Sequence, residues 1–172
     1  MLGYPGAGKT TTAKIIHKLT GAEHLWADHV RREMYDHPTY SHAENMHLYP
    51  HLNDMTDKLL SEGKSVVFDT NFNFYSDREH LRSIAAKHGA HTIVVWVQAD
   101  KNIAKKRATV DAHLHISTRV LGNMSVEHFE RISSNQEDPH EDETVIDIEG
   151  REISESYVLT QLNQADVATV KK

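Results

Sequence analysis

Apolar and polar positions change period several times along the chain, and the changes divide it into helices and strands. The spacing predicts a helix over 9–19, a short strand over 22–26 and a helical stretch that starts near Asp28 and ends or turns at Pro38. Met46, Leu48, Leu52, Met55, Leu59 and Leu60 recur at helical intervals through 41–62, with Pro50 as a kink and Gly63 as the C-terminal cap. Residues 65–68 and 92–97 are runs of β-branched and aromatic residues with almost no polar interruption, the pattern of strands covered on both faces. A helix over about 76–88 separates them. Beyond Asp100 a helix carrying Lys105, Lys106 and Arg107 leads into the polar stretch 113–123, which lacks an apolar face and reads as a flap. Ser125 caps a helix through Ser133, a charged turn follows at 136–142, residues 144–148 form another strand, and a last helix begins at Ser154.

Strands that alternate with helices imply an α/β fold built on a mainly parallel sheet with right-handed crossovers. The 172 residues fit one domain spanning 1–172. Only Met1 and Leu2 precede the first glycine-rich loop, so the buried strand expected to enter it is nearly absent or cut short.

Composition narrows the setting. With 38% apolar and 26% charged residues and no apolar run near the roughly 20 residues that cross a bilayer, no membrane anchor is implied. The absence of cysteine and of a signal-peptide pattern makes the cytoplasm the default location. A formal net charge of -6 excludes an extended basic track for nucleic acid, while leaving room for a local pocket for one phosphorylated group. The fourteen histidines are scattered, and His113 with His115 has no third ligand at a metal-binding spacing.

Residues Gly3-Tyr4-Pro5-Gly6-Ala7-Gly8-Lys9-Thr10 match G-x-x-x-x-G-K-[ST] without a mismatch. Glycines permit the positive φ that turns consecutive backbone N–H groups onto phosphate oxygens, and the helix beginning at Lys9 points its positive end at the same anion. Lys9 can reach the β- and γ-phosphates and the Thr10 hydroxyl can coordinate Mg²⁺. The expected ATP-binding set is therefore Gly3, Pro5, Gly6, Ala7, Gly8, Lys9, Thr10 and Thr11.

Two further acids carry candidate chemistry. Asp69 ends the apolar run Val66-Val67-Phe68, at the sheet edge where the glycine loop also lies, and could hold Mg²⁺ or touch an acceptor. Taken alone it reads equally as a strand-end aspartate capping the turn with Thr70 and Asn71. Asp28 and Arg31 share a helix face: the carboxylate can take a proton from an attacking hydroxyl and the guanidinium can fix an anionic part of the acceptor. Their alternative reading is a helix N-cap with a surface arginine.

Together, Gly-x-Pro-Gly-x-Gly-Lys-Thr at 3–10, Asp-x-x-Arg at 28–31 and Asp-Thr-Asn at 69–71 resemble the polynucleotide-kinase-like P-loop kinases, in that family's order and over most of the chain to about Gly150. The resemblance implies a five-stranded sheet in the order 2-3-1-4-5, Asp28 as general base, Arg31 on the acceptor and Asp69 as accessory acid. It also implies a lid after the fourth strand, at about 112–124, with Arg107 or Arg119 directed to the phosphates. Residues 28–40, with Arg31 and His37-Pro38-Thr39-Tyr40, are also similar to zeta-toxin kinases, which phosphorylate a nucleotide sugar.

The expected activity is transfer of the γ-phosphoryl group of Mg-ATP to a hydroxyl of a polynucleotide 5′ end, a nucleotide sugar or a small molecule. A non-catalytic ATP-binding module is the alternative, and the oligomeric state is open. A GTPase switch is disfavoured because no Asn-Lys-x-Asp motif exists and the only Asp-x-x-Gly, Asp147 to Gly150, lies near the C-terminus, in the wrong order for a switch.

Overall fold

The computed structural model describes residues 1–115 and 122–167. In chain order its elements are α1 (Lys9–Thr20), β1 (Glu23–Trp26), α2 (Ala27–Met34), α3 (His42–Ser61), β2 (Val66–Asp69), α4 (Tyr75–Lys87) and β3 (Val94–Gln98). There follow α5 (Lys101–Thr109), a 3-10 helix (Asp111–His115), α6 (Val126–Ser134), β4 (Val145–Glu149) and α7 (Glu155–Gln164). Polar caps set several starts: Ser41 accepts from the Glu44 amide, Asp100 from those of Asn102 and Ile103, Ser125 from His128 and Ser154 from Tyr157. Helix α3 continues through Pro50, and α2 stops at Met34, ahead of Pro38.

All named strand pairs are parallel. The expected single sheet of five strands is not formed among the described residues, which instead hold two sheets of two strands, β1 with β2 and β3 with β4. Between them lie Met1 and Leu2. Leu2 makes an isolated parallel bridge to Trp96, with Leu2 N–H donating to Val95 O (2.9 Å) and Val97 N–H to Leu2 O (2.8 Å). On the other side the Met1 nitrogen donates to Phe68 O (3.0 Å). Two residues provide too few backbone groups for a ladder on both sides, so the seam is held by these contacts and by packing.

That packing falls into three clusters. Helices α1 and α7 lay Ala13, Ile16, Leu19, Val158 and Leu162 against Val67, Val95, Val97, Ile146 and Ile148, so a single apolar layer spans both sheets. Helices α2 and α3 cover β1 and β2 through Val30, Leu48 and Leu52 against Leu25, Phe68 and Phe72. Fully buried Phe129 of α6 closes on Ala104 and Ala108 of α5 and on Tyr4 of the glycine loop. No helix among the described residues is long and apolar enough to cross a membrane.

A buried cation ties the charged turn to the acid-bearing strand. Arg78 donates from Nε and Nη2 to the two Glu143 oxygens (2.8 and 2.9 Å), from Nη1 to Phe72 O (3.1 Å) and Glu137 O (3.2 Å), and from Nη2 to Asp138 O (3.1 Å). Burial by itself would raise the Glu143 carboxyl, but Arg78 and the His140 amide hold it below the ordinary range. Residues 136–143 are thereby clamped onto the loop after β2.

Because Phe129 is the side chain through which α6 reaches both α5 and the glycine loop, Phe129→Ala should cost about 3–5 kcal/mol in denaturant unfolding. A loss below about 1 kcal/mol would mean that α6 is not anchored there.

Candidate active site

The glycine loop is built by close backbone approach. Gly3 and Gly6 take φ values of 134° and 83°, and a Cβ on either would overlap a carbonyl oxygen, that of Val97 for Gly3 and that of Ala104 for Gly6. The loop thus rests on the end of β3 and on α5. Helix α1 starts from Gly8 (φ 113°) with no side-chain hydrogen bond capping it and no acid in its first turn, so its first amides are not satisfied by a side-chain cap. Lys9, only 9% exposed, donates from Nζ to Gly3 O (2.6 Å) and Tyr4 O (3.0 Å), which holds the ammonium inside the curl of the loop.

A cavity of about 1070 Å³ opens over this loop. Pro5, Gly6, Gly8, Lys9, Thr10 and Thr11 form its floor, with Gly3 and Ala7 buried beneath. The β1–β2 side contributes Asp28, Arg31 and Asp69, and the β3–β4 side contributes Arg107. The residues picked out in the sequence are therefore brought together, apart from Arg119, which lies outside the described residues. The centre of the expected 112–124 lid lies outside them too. Its described ends are tied down: Ala112 is buried, its amide donates to Asn123 Oδ1 (3.1 Å), and the Met124 amide donates to Ala108 O (3.0 Å).

Asp28 stands in the first turn of α2 and accepts from the Tyr40 hydroxyl (3.4 Å). Asp69, at the end of β2, is buried, and its Oδ2 lies 3.0 Å from His24 Nε2. Thr10 and Asp69 both line the cavity and carry oxygen donors of the kind a hard divalent cation takes. Among the described residues no group of three or more His, Asp or Glu could hold a metal ion, so phosphate and water oxygens would complete its shell.

Arg31 differs most from its expected role of fixing an anionic acceptor. It is 3% exposed, and its guanidinium donates to Glu44 Oε2 (2.9 Å) and Asn45 Oδ1 (2.6 Å) under the Tyr40 ring, 4.5 Å from the ring centre. Glu44 also accepts from the Thr39 hydroxyl (2.6 Å) and from the amides of Thr39 (2.7 Å) and Tyr40 (2.8 Å). The Thr39 hydroxyl, against the opposing effect of burial, and then the Thr39 amide, Arg31 and the Tyr40 amide hold the Glu44 carboxyl down at about 2. Tyr40 itself has φ 56°, a left-handed conformation that costs a non-glycine residue on the order of 1–3 kcal/mol.

Several lining residues had not been singled out as site residues: Asn45, Tyr49, Asn73, Asp77, His128, Arg131, Gly150, Arg151 and Ile153. Ser41-x-x-Glu44 is a capping-box pattern that could have drawn attention to Glu44. On α6, burial and then Arg131 lower the His128 pKa, which favours a neutral imidazole. At the start of α4, burial and then Glu137 raise the Asp77 pKa. Gly150 donates to Gln98 O (2.6 Å) and accepts from Arg107 Nη1 (3.0 Å); nothing local in the sequence marks it as part of the site.

The profile of a family described as an AAA domain matches residues 1–124. No curated protein matches the chain. Among solved structures, an unliganded sugar kinase from Janibacter sp. is similar with a TM-score of 0.68 at 20% identity, covering 97% of this chain and 92% of that one. An APS kinase from Mycobacterium tuberculosis, in complex with AMPPNP and APS, gives 0.66 at 18% identity over 96% and 93%. A gluconokinase from Sinorhizobium meliloti gives 0.62 at 17% identity over 95% and 90%. These likenesses establish the P-loop kinase-like α/β fold with parallel strands.

A Cβ at Gly150 would lie 2.5 Å from Ala7 O and 2.8 Å from Gln98 O, so the residue is a spacer between the end of β4 and the phosphate loop. Gly150→Ala should lower stability by about 1–3 kcal/mol and weaken ATP binding by displacing the loop. Wild-type ATP affinity in a calorimetric titration of this variant would show that the loop does not depend on that spacing.

Proposed function

The chain belongs to the AAA domain family matched over residues 1–124, and on that premise we propose that it is a P-loop kinase transferring the γ-phosphoryl group of ATP to a hydroxyl of a small molecule. The observation that carries the reading is one cavity shared by a glycine cradle with an inward lysine and by an acid, Asp28, on the opposite side of the loop. Structural neighbours named as a sugar kinase, an APS kinase and a gluconokinase support a small acceptor.

In this reading the amides of the loop and of the first turn of α1 bind the phosphates, and Lys9 meets the negative charge that accumulates on the transferring group. Thr10 and Asp69 would hold Mg²⁺, which when bound would offset the negative charge of the phosphates. His24 fixes the orientation of the Asp69 carboxylate. Asp28 takes the proton as the acceptor oxygen bonds to the γ-phosphorus and the bond from that phosphorus to the β–γ bridging oxygen breaks, releasing ADP. The Tyr40 hydroxyl orients Asp28, and Arg107, against the carbonyl of Gly150, borders the nucleotide end. The lid role of 112–124, the phosphate contact of Arg119 and the extent of one kinase domain over 1–172 belong to the same proposal.

Lys9→Ala and Thr10→Ala should each reduce phosphoryl transfer by about 10²-fold or more. Near-normal turnover of Lys9→Ala in an ADP-release assay would sink the kinase reading. Asp28→Asn should keep ATP affinity within a few-fold and lower kcat by about 10²–10⁴. If Asp28 only complements the positive end of α2, the same preparation would lose about 0.3–1 kcal/mol of stability with kcat of the folded fraction intact.

A further inference from the structure

Resting on the kinase reading, we infer that Glu44, a buried acid of α3, is a positioning residue that acts through Tyr40 to hold the Asp28 carboxylate for proton transfer. Its side chain matches its surroundings in number as well as in charge. Oε1 accepts from the Thr39 amide (2.7 Å) and hydroxyl (2.6 Å), and Oε2 from Arg31 Nη1 (2.9 Å) and the Tyr40 amide (2.8 Å). These donors use up the acceptor sites of an ionised carboxyl. A glutamine has a carbonyl oxygen for one pair of donors and would turn its own N–H groups toward the other, so an amide does not replace the acid.

The simpler role for such an acid is to cap its helix. Ser41 does accept from the Glu44 amide (3.2 Å), which is half of a capping box; in the other half the acid returns to the amide of the capping residue itself. The Glu44 carboxylate instead takes the amides of Tyr40 and Thr39, which precede the cap. Its bonds shape the connection between α2 and α3.

That shape is what aims Tyr40. A residue with a side chain stays in a left-handed backbone (φ 56°) only when its surroundings hold it there. In this conformation the ring lies over the Arg31 guanidinium (4.5 Å) and edge-on to His128 (6.5 Å), and the hydroxyl donates to Asp28 Oδ1 (3.4 Å). One acid thus fixes both the backbone that carries the ring and the guanidinium beneath it. Asp28, Arg31 and Tyr40 line the cavity whereas Glu44 lies behind them, so any effect of Glu44 on turnover passes through its neighbours. A carboxylate held at one oxygen has fewer orientations to search, which favours the geometry in which it takes the acceptor proton. The transfer itself is unchanged: the acceptor C–O–H loses its proton to Asp28, its oxygen gains the phosphoryl group, and ADP leaves.

The test is a double-mutant cycle of Glu44→Gln and Tyr40→Phe, read as kcat for ADP release from Mg-ATP. The acceptor is a member of a panel of sugars, sugar acids, alditols and nucleosides whose turnover by the wild type is abolished in Lys9→Ala. Melting temperature and calorimetric ATP affinity are measured on the same preparations. Each single variant should lower kcat about tenfold and keep ATP affinity within a few-fold, and the double variant should fall at most about threefold further. Independent effects would instead multiply to about a hundredfold, and that outcome overturns the inference. Wild-type kcat in Tyr40→Phe overturns it too, as does a folded Glu44→Gln that melts earlier but turns over normally, the behaviour of an acid that serves stability alone. If Glu44→Gln does not fold, Glu44→Asp, which keeps the charge but withdraws it by one methylene, takes its place in the cycle. Any of these failures in a protein that still responds to Lys9→Ala removes the positioning role and leaves the kinase reading standing. Absence of turnover with every acceptor overturns both.

Discussion

The site depends on backbone packed directly against backbone. Gly3 lies on the carbonyl of Val97 and Gly6 on that of Ala104, at distances a Cβ would not permit, so the phosphate loop is seated by the ends of β3 and α5 rather than by side chains that could repack. Three consequences follow in order. Lys9 finds the carbonyls of Gly3 and Tyr4 and turns inward, α1 begins without a side-chain cap, and the first turn of that helix brings Thr10 to the cavity floor. Interiors are stiff at this density, so a shift in either supporting element is passed to the loop almost whole.

Around that seat the molecule is assembled from two halves with little ladder between them. One contributes Asp28, Asp69 and the α2–α3 wall; the other contributes Arg107, Gly150, Arg151 and Ile153. Backbone pairing across the seam rests on Met1 and Leu2, and the apolar layer of α1 and α7 carries the remainder. Helix α6 is a second tie, since Phe129 anchors it to α5 while its Ile132 carbonyl accepts from Asn73 Nδ2 (2.9 Å) on the opposite half. The Arg78 clamp works on the same loop from behind. A cavity formed between two halves, closed by a helix that belongs to both, is suited to bringing two different substrates together.

The sequence makes legible what is local. The glycine loop, its lysine, the apolar strands ending in Asp69 and the serine-capped helices are written in neighbouring residues, and they appear where the pattern puts them. Arg31 marks the boundary of that legibility: its position on the face of α2 follows from period, but its partner Glu44 sits thirteen residues away on another helix, and only the fold discloses that the charge is spent. His24 and Asp69 are separated by 45 residues and meet because β1 and β2 pair in a register that sets Trp26 opposite Asp69. Gly150 ends an Asp-x-x-Gly match that does not disclose its role; its importance comes from Ala7 and Gln98 lying too near for a side chain. Among the described residues two strand pairs stand in place of a single five-stranded sheet, because Met1 and Leu2 make only a bridge and a terminal contact between them.

Tyr40 carries a further consequence. Its backbone is held left-handed by the grip of Glu44 on its amide, and the same residue supplies the ring over Arg31 and the hydroxyl to Asp28. Glycine is the residue that would relax this backbone, and it would also strip the wall of its aromatic face and Asp28 of its partner. On the proposed kinase reading, selection for robustness and selection for catalysis pull this one position in opposite directions. On that same reading, drift in acceptor preference would begin most readily here, where a change that weakens the wall relaxes the backbone.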